Sequence, residues 1–493
     1  ALLLRLAGRT GSAAGLNLDA SKLQRGDLMK KLIWMAAGIA LLTGEAARAE
    51  DAAGDWAGVI AGQLHIVVHL TRGSDGQLTG SLESLDQGDA KIPLGAVDAP
   101  PDHLKFTVPP INGSYDATWN DAKAQWTGTW HQGRDIPLDL HRAVAAEIAA
   151  PRRPQEEAIA HGQLPYVTEQ ISFTNYQTEG VTLRGAFSKP AGAGPFPTVV
   201  LISGSGPNDR DENLLGHKLF LVLADYLNRQ GLAVLRYDKR GVGESTGDYA
   251  TATTADFISD ALAATTYLKT RSDVDQRHVG LIGHSEGGLI APAVAVADPG
   301  VDFIVLMAGT GLRGDKVLLR QSELIERANG APEAVVAKDA AMRKAAFAII
   351  ESSNDPADAR IKLNPGVERA VANGTFTKEI GDQYVAALTT PWSYSFLRYD
   401  PAPILQKVRV PVLAIGGSLD LQVEPQENLA AIKAALSEDS DVTVRELPGL
   451  NHLFQEAKTG SPAEYGRIDE TLSPKALQII ADWCLARSDP KSQ

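Results

Sequence analysis

The fold is decided by the stretch VGLIGHSEGG, which occupies Val279–Gly288. Its first four residues are apolar or glycine, which is typical of a strand buried on both faces of a parallel sheet. Gly283–Gly287 then matches the pattern G-x-S-x-G, and the small and apolar residues that follow, as far as Ala297, predict a helix. The pattern alone is short enough to arise by chance. A strand, a sharp turn and a helix in this order predict that Ser285 presents its hydroxyl at the carboxyl end of a buried strand.

Strand-like and helical runs alternate on both sides of this stretch. Helical spacing occupies residues 220–229 and 256–269, between apolar runs of strand length. This alternation is typical of an α/β fold, in which a mostly parallel, doubly wound sheet carries helices on both faces. We therefore predict a core formed by residues 165–311 and 398–490, with its strands at Thr198–Ile202, Ala233–Tyr237, Val279–Ile282, Phe303–Met307, Val410–Ile415 and Val442–Val444.

The alternation stops between residues 312 and 397. This segment is rich in Ala, Glu, Lys and Arg with helical spacing, and it holds no convincing buried strand. A helical insertion between two core strands, at the edge of the sheet where ligands bind, predicts a helical cap over the site. The sequence leaves open whether this cap moves or is a fixed structural insertion.

Residues 50–142 have a different texture, because short runs of alternating apolar and polar residues are separated by Gly, Asn and Asp turns. This pattern predicts a small antiparallel β domain. Four of the seven tryptophans lie in it. They form either an aromatic platform for a sugar or polymer or, as we favour, the core of the domain. Residues 143–164, rich in Ala, Glu, Pro and Arg, are expected to be a partly helical linker.

The first 49 residues carry a targeting pattern. Met29-Lys30-Lys31 precedes the apolar run Leu32–Leu42, and Ala47–Ala49 forms an A-x-A site. This arrangement predicts a secretory signal peptide at 29–49, preceded by an upstream extension at 1–28; the alternative is a buried helix. We expect an exported protein, periplasmic or secreted, with no stable membrane anchor, because no cysteine follows the cleavage site. The single Cys484 cannot form an internal disulfide.

A serine hydroxyl becomes an effective nucleophile when a base removes its proton and a third group orients that base. His284 adjoins Ser285 in the turn and is expected to point elsewhere. The best base is His452, in a loop after the last predicted strand, and the best acid is Asp420, after the strand Val410–Ile415. Each has a simpler interpretation, a solvated loop histidine and a turn residue. Their order along the chain, Ser, Asp, His, at carboxyl ends of strands favours a catalytic triad.

A tetrahedral intermediate also requires hydrogen-bond donors for its oxyanion. One is expected to be the backbone N–H of Glu286, the residue after the nucleophile. The second is expected from the glycine-rich segment Ser203–Pro207, where we assign the backbone N–H of Ser205. The alternative for this segment is an ordinary glycine-rich turn.

From about Pro165 onwards, roughly two-thirds of the chain, the sequence resembles the α/β-hydrolase superfamily, especially bacterial carboxylesterases and serine aminopeptidase-like hydrolases. Ser203–Pro207 resembles the H-G-x oxyanion segment of that family, with Ser203 in place of the usual His. Tyr237–Ser245 resembles its D-x-R-G-x-G-x-S loop, and Gly283–Gly288, Asp420 and His452 fall where the family places its triad. The resemblance implies acyl transfer to water through an acyl-enzyme, without a metal or organic cofactor.

Three functions remain open at this point. The leading one is hydrolysis of small-molecule carboxylic esters with small or medium acyl groups. The second is a serine peptidase or amidase with the same triad, for which Glu286 or the loop Asp209–Glu212 could anchor a charged end of the substrate. The third is a catalytically silent binding protein. The net charge of -13 argues against nucleic acid as a partner, and the sequence carries no signal for an oligomeric state.

Overall fold

A computed structural model describes residues 51–60, 64–84, 91–132, 135–149, 152–438 and 441–488. The predicted signal peptide at 29–49 and the extension at 1–28 lie outside the described residues. Within these residues the chain forms two sheets of eight or more strands, and the prediction of an α/β fold with a helical cap and a preceding all-β domain is confirmed.

The β domain is one antiparallel sheet whose strand order is β4-β3-β2-β1-β9-β8-β7-β6-β5. Alternate residues of each strand face one side, as the two-residue period of the sequence predicts. Its strands in the described residues are β1 (Gly54–Ile60), β2 (Leu64–Arg72), β3 (Leu78–Ser84), β4 (Lys91–Pro93), β5 (Val97–Asp98), β6 (His103–Val108), β7 (Gly113–Asn120), β8 (Gln125–His131) and β9 (Asp135–Arg142).

The tryptophans of this domain form its core. Trp56, Trp126 and Trp130 are buried, and Trp56 packs edge-on against Trp126 with ring centroids 5.8 Å apart. Trp119 is half-buried and lies against both Trp56 and Trp126. Edge-to-face packing of large rings stabilises such a core beyond the burial of their area. The three buried rings therefore support the core interpretation over a binding platform.

Two helices follow the β domain, α1 (Ala145–Ile148) and α2 (Pro154–His161). Helix α2 is held against the α/β domain by hydrogen bonds from residues at its start. The Arg153 guanidinium donates to the carbonyls of Leu215 and Gly466, at 2.8 and 2.9 Å, and the Gln155 amide donates to the carbonyl of Leu472. The segment that the sequence indicates as a linker thus ends in a helix fixed to the α/β domain.

The second sheet has the strand order β10-β11-β15-β12-β16-β17-β18-β19. From β15 to β19 neighbouring strands run parallel, whereas β10 and β11 form an antiparallel hairpin at one edge. The strands are β10 (Tyr166–Thr174), β11 (Thr182–Pro190), β12 (Phe196–Ile202), β15 (Ala233–Tyr237), β16 (Val274–His284), β17 (Phe303–Met307), β18 (Val412–Gly417) and β19 (Val442–Leu447); β13 (Asn213–Leu214) and β14 (His217–Lys218) pair with each other.

Helices cover both faces of this sheet, and each face has its own apolar cluster. The helix Thr254–Leu268 begins at a capping box. The side chains of Thr253 and Asp256 each accept a hydrogen bond from the backbone N–H of the other residue. The helices that flank the sheet are α3 (Leu219–Arg229), α4 (Thr254–Leu268), α5 (Glu286–Ala297), α12 (Pro425–Ala435) and α13 (Pro474–Ser488).

The cap consists of helices with an apolar cluster of their own, built around Phe347, Leu363 and Leu388. They are α6 (Gly314–Ala328), α7 (Glu333–Glu351), α8 (Pro356–Ala372), α9 (Lys378–Leu388) and α10 (Pro391–Arg398), and a short helix, α11 (Ala402–Leu405), leads back to the sheet. None of the helices in the described residues is both long enough and apolar enough to cross a membrane.

Candidate active site

Ser285 occupies the sharp turn between β16 and α5. Its φ of 53° and ψ of -116° lie in a region that residues other than glycine rarely adopt, and its N–H donates to the carbonyl of Met307 at 2.8 Å. The strained conformation lies on the serine itself rather than on the glycines that flank it. Gly283 and Gly287 are needed for close packing instead, since a Cβ on Gly287 would lie 1.9 Å from the carbonyl oxygen of Ile202.

Asp420 and His452 form a buried pair at the carboxyl ends of β18 and β19. Asp420 Oδ2 lies 2.8 Å from Nδ1 of His452, and Oδ1 accepts from the backbone N–H groups of Gln422 and Val423. These bonds use both carboxylate oxygens and hold the carboxylate in one orientation. The Asp420 contact fixes Nδ1 of His452 as the protonated nitrogen and leaves Nε2 able to accept a proton.

His284 joins the turn of Ser285 to the loop of His452. The two imidazole rings lie 4.9 Å apart, and Nε2 of His284 lies 3.0 Å from the backbone carbonyl oxygen of His452. The turn that carries Ser285 is therefore bonded, through His284, to the loop that carries His452. As expected from the sequence, the His284 side chain is turned into the protein interior, where it is 1% exposed.

The other nitrogen of His284 contacts a residue that sequence reasoning missed. Nδ1 lies 3.0 Å from Oε1 of Glu212, and this oxygen also accepts from the N–H of Gly204 at 2.6 Å. Burial acts to lower the pKa of His284, but the Glu212 carboxylate outweighs it and raises that pKa above its ordinary value. Glu212 is wholly buried, although it lies in a polar run of the sequence.

The candidate oxyanion segment is fixed by its Gly204–Ser205 peptide. The Gly204 carbonyl accepts from the Lys239 ammonium at 2.6 Å and from the Asn208 amide at 2.8 Å. Because the peptide is trans, the N–H of Ser205 points away from these two donors. A Cβ on Gly204 would lie 3.0 Å from the Cβ of Ser285, so this peptide passes directly beside the nucleophile.

Glu286, whose N–H is the other candidate donor, begins α5 and is buried. Its side-chain carboxylate accepts from the Thr254 hydroxyl at 2.7 Å and from the Trp392 indole at 2.8 Å, and it lies 3.4 Å from the Lys239 ammonium. Trp392 belongs to α10, so this carboxylate bonds the cap to the turn that carries Ser285. With these partners it is not a free anionic anchor for a substrate.

The loops around the site are braced by ion pairs. Arg210 donates to both oxygens of Asp238, and Arg240 donates to Asp256 and Asp260. Asp238 and Arg240, in the loop that follows β15, therefore hold the loop rather than face a substrate. Burial acts to raise the pKa of the Asp238 carboxyl, but the hydrogen bonds from Arg210 outweigh it and keep that pKa below its ordinary range.

A cavity of about 40 Å³ lies between this site and the cap. Its floor includes Ser205, Ser285 and Glu286, from the candidate oxyanion segment and the turn. The rest of its lining is mixed in polarity and comes from the loop after β17, the cap and the loop after β18: Thr310, Val317, Leu318, Gln321, Trp392, Phe396, Gln422 and Val423.

Comparison with known proteins gives consistent matches for the α/β domain. A family model described as the alpha/beta hydrolase family matches residues 199–465. Esterase EstD of Thermotoga maritima is 28% identical over 326 residues, which make up 65% of this chain and 70% of EstD. An uncharacterised protein of Mycobacterium tuberculosis is 30% identical over 134 residues, 27% of this chain and 44% of that protein.

Two solved structures align with a similar part of the chain. An esterase of Pyrococcus furiosus aligns with 58% of this chain and 83% of its own, with 17% identity and a TM-score of 0.38. A proline iminopeptidase-related protein of Thermus thermophilus aligns with 66% of this chain and 99% of its own, with 20% identity and a TM-score of 0.40.

Proposed function

Because this chain belongs to the alpha/beta hydrolase family, we propose that it is a serine esterase that cleaves small-molecule esters of short acyl groups through an acyl-enzyme. The proposal starts from two findings, that this chain is a hydrolase of that family and that an esterase is among its relatives. The observation that carries the proposal is the buried Asp420–His452 pair, 2.8 Å between Oδ2 and Nδ1, held beside the strained turn of Ser285.

The first half of the reaction forms the acyl-enzyme. Nε2 of His452 takes the proton of the Ser285 hydroxyl while Oγ bonds to the ester carbonyl carbon, and the carbonyl electrons move to the oxygen. Asp420 stabilises the imidazolium that results. The backbone N–H groups of Ser205 and Glu286 stabilise the oxyanion, aided by the amino-terminal end of α5. The imidazolium then gives its proton to the leaving alkoxide oxygen as the C–O bond breaks.

The second half repeats these steps with water. His452 takes a proton from the attacking water, whose oxygen bonds to the acyl carbon. The second tetrahedral intermediate collapses, the bond to Oγ breaks and the proton on His452 returns to Ser285. The products are a carboxylic acid and the free enzyme, and no electron donor or acceptor is required.

The size of the cavity supports a short acyl group. A volume of about 40 Å³ has room for about three water molecules, which favours small acyl groups over long ones. Val317, Leu318 and Phe396 present apolar side chains to it. We therefore expect acetyl and butyryl esters to be cleaved faster than esters of eight or more carbons.

The partners of the acidic residues favour an ester over a peptide substrate. The Glu286 carboxylate is bonded to Thr254 and Trp392, and Asp209 caps the backbone of its own loop. Asp211 pairs with Arg236, and Glu212 with His284. Each carboxylate that could anchor a peptide terminus thus has a partner within the protein. Turnover of aminoacyl p-nitroanilides faster than of p-nitrophenyl butyrate would instead support a peptidase.

The test of the proposed function is Ser285→Ala. We expect the variant to keep its fold and to lose hydrolysis of p-nitrophenyl acetate by at least about 10³-fold. Circular dichroism and thermal unfolding provide the control for folding. Turnover retained within tenfold of the unchanged protein would contradict the assignment of the nucleophile.

We also propose that the protein acts outside the cytoplasm, on the basis of the basic, apolar and A-x-A segments at 29–49. Expression in a Gram-negative host and fractionation should recover activity in the periplasm or medium, with a mature amino terminus near Glu50. Activity confined to the cytoplasm, with Met29–Ala49 intact, would contradict export.

A further inference from the structure

A buried pair of ionisable side chains, Glu212 and His284, lies next to the nucleophile and takes no part in the steps above. We propose that this pair positions the two parts of the site that act on Ser285. It holds the oxyanion segment on one side of Ser285 and the loop of the catalytic base, His452, on the other. Glu212 bonds to Gly204 on one side, and His284 bonds to the backbone of His452 on the other. The inference rests on the proposed function, because it concerns the same site.

The hydrogen-bond partners determine where the protons lie. The carbonyl oxygen of His452 can only accept, so Nε2 of His284 carries a proton. Oε1 of Glu212 accepts from the N–H of Gly204, which favours negative charge on that oxygen. Nδ1 of His284 then donates to the same oxygen. The pair is an imidazolium beside a carboxylate, neutral as a whole, and both ring nitrogens are donors.

Mutual neutralisation is what allows this pair to be buried. The side chains of Glu212 and His284 are each 1% exposed. A single buried charge is strongly destabilising, whereas a bonded pair is tolerated. In the described residues the second carboxylate oxygen of Glu212, Oε2, is buried with no hydrogen-bond partner. The hydrogen bonds at Oε1 therefore offset the cost of burying this carboxylate. Removing the charge of one partner therefore disturbs the other.

On the oxyanion side, the pair fixes the backbone N–H of Gly204, the residue before Ser205 in the oxyanion segment. Glu212 holds the N–H of Gly204, while Lys239 and Asn208 hold its carbonyl. With both polar groups of Gly204 bonded, the direction of the following N–H, that of Ser205, is set. A donor serves an oxyanion only if it is held within a few tenths of an ångström of its place, since that alignment is what preorganisation supplies.

On the side of the base, the pair fixes the backbone of His452. His284 donates to its carbonyl at 3.0 Å. Asp420 orients the ring but leaves the backbone free to shift. His284 therefore supplies the contact that sets how far the imidazole lies from Ser285. A misplacement of about 1 Å can lower a rate by about 100-fold.

The test compares Glu212→Gln, His284→Gln and the double variant in the full chain. Positioning acts on the transition state, so kcat for p-nitrophenyl butyrate should fall about 10- to 100-fold in each single variant while KM changes less than about threefold. A trifluoromethyl ketone, whose hemiketal with the Oγ of Ser285 carries an alkoxide that mimics the oxyanion, should lose affinity by the same factor as kcat. The double variant should lose no more than the worse single variant, because the two residues act as one unit.

Asp298→Asn is the matched control. Asp298 is also a buried carboxylate with a cationic partner, Lys269, but it lies in the turn after α5, away from the site, and its removal should leave kcat unchanged. Losses in the Gln variants that fall on KM alone, leave ketone affinity unchanged, or multiply in the double variant would overturn the inference. If Glu212→Gln does not fold, His284→Gln decides the matter alone, by kcat and ketone affinity.

A fluorophosphonate probe separates failure of this inference from failure of the proposed function. Labelling of Ser285 in the unchanged protein requires an activated serine but no particular substrate. If the unchanged protein is not labelled, the proposed function fails. If it is labelled and both Gln variants are labelled at the same rate, the positioning role fails while the proposed function stands.

Discussion

Among single residues, Asp420 offers the sharpest test of how the base is oriented. Replacing it with Asn keeps an oxygen for the N–H groups of Gln422 and Val423 but lets the amide donate to Nδ1 of His452. That contact favours the tautomer protonated at Nε2, which cannot accept the serine proton. We expect kcat for p-nitrophenyl acetate to fall about 10⁴-fold with the fold intact.

The control for this prediction is Asp382→Asn, which removes an exposed carboxylate paired with Lys378 on the cap. It should leave kcat within twofold. A loss of less than tenfold in Asp420→Asn, measured alongside this control, would show that another group orients His452.

His217 should make stability depend on pH. It is buried against the loop that holds Tyr465 and Thr471, and burial together with the nearby Arg153 lowers its pKa to about 4. The unfolded chain binds a proton at this residue near pH 6.5, whereas the folded protein does not. The free energy of unfolding is therefore greatest above pH 6.5 and falls as the pH drops towards about 4, by up to about 1.4 kcal/mol per pH unit.

Urea unfolding of the unchanged protein and of His217→Gln at several pH values measures this effect. The two proteins share all other titratable groups, so the difference between their curves isolates His217. We expect a shallower decline in the variant between pH 6.5 and 4. Parallel curves would mean that His217 titrates normally in the folded protein.

The sequence was sufficient for Ser285, Asp420 and His452 as candidates, because each follows an apolar run at a recognisable place. It was not sufficient for Glu212. Glu212 lies in the polar run Asn208–Glu212, whose composition is typical of a solvated loop. In the structure Glu212 is buried and has a φ of 48°. The available signal was His284, since a histidine in so tight a turn needs partners for both ring nitrogens, but their identity depends on contacts distant in the sequence.

At the level of elements, the packing of α5 against β12 sets the position of the nucleophile. A methyl group on Gly287 would lie 1.9 Å from the backbone carbonyl oxygen of Ile202, and backbone atoms cannot move aside easily. Gly287→Ala should therefore destabilise the protein by at least about 2 kcal/mol and displace the turn. Activity should fall more than the folded fraction does.

A matched substitution in a cap helix separates this steric effect from any general effect of glycine. Gly366, in α8, has space for a Cβ and an ordinary helical φ. Gly366→Ala should stabilise the protein by about 0.5–1 kcal/mol and leave activity unchanged. Thermal unfolding and ester turnover measure both variants, and a Gly287→Ala protein as stable and active as the parent would contradict the role of close packing.

The parallel strands were predictable because each is a continuous run of β-branched and apolar residues. Ala233–Tyr237 and Phe303–Met307 have the bounds that the sequence suggests. The antiparallel hairpin of β10 and β11 was not assigned, because β10 lies at the sheet edge with most of its side chains exposed or half-buried, which weakens the apolar signal. Edge strands depend on their neighbour for pairing, and that neighbour is not evident from local sequence.

For the whole molecule, the separation of the apolar clusters bears on what the β domain contributes. The cluster around Trp56, Trp126 and Trp130 draws only on residues 52–140, whereas the two clusters of the α/β sheet draw on residues from 159 onwards. Because each part has its own apolar core, we expect a truncated chain that begins at Arg152 to fold by itself. Starting there keeps Arg153 and Gln155, which fix α2 to the α/β domain.

This truncation should leave kcat/KM for p-nitrophenyl acetate within about twofold, since the cavity is lined by residues 205–423. Turnover of a polymer-bound ester should be equally unaffected, because buried tryptophans cannot form a platform for a polymer. The Ser285→Ala form of the truncated chain controls for background hydrolysis. A selective loss on the polymeric substrate would instead show that another surface of the β domain binds it, and a folded but inactive truncated chain would show that the β domain helps to form the site.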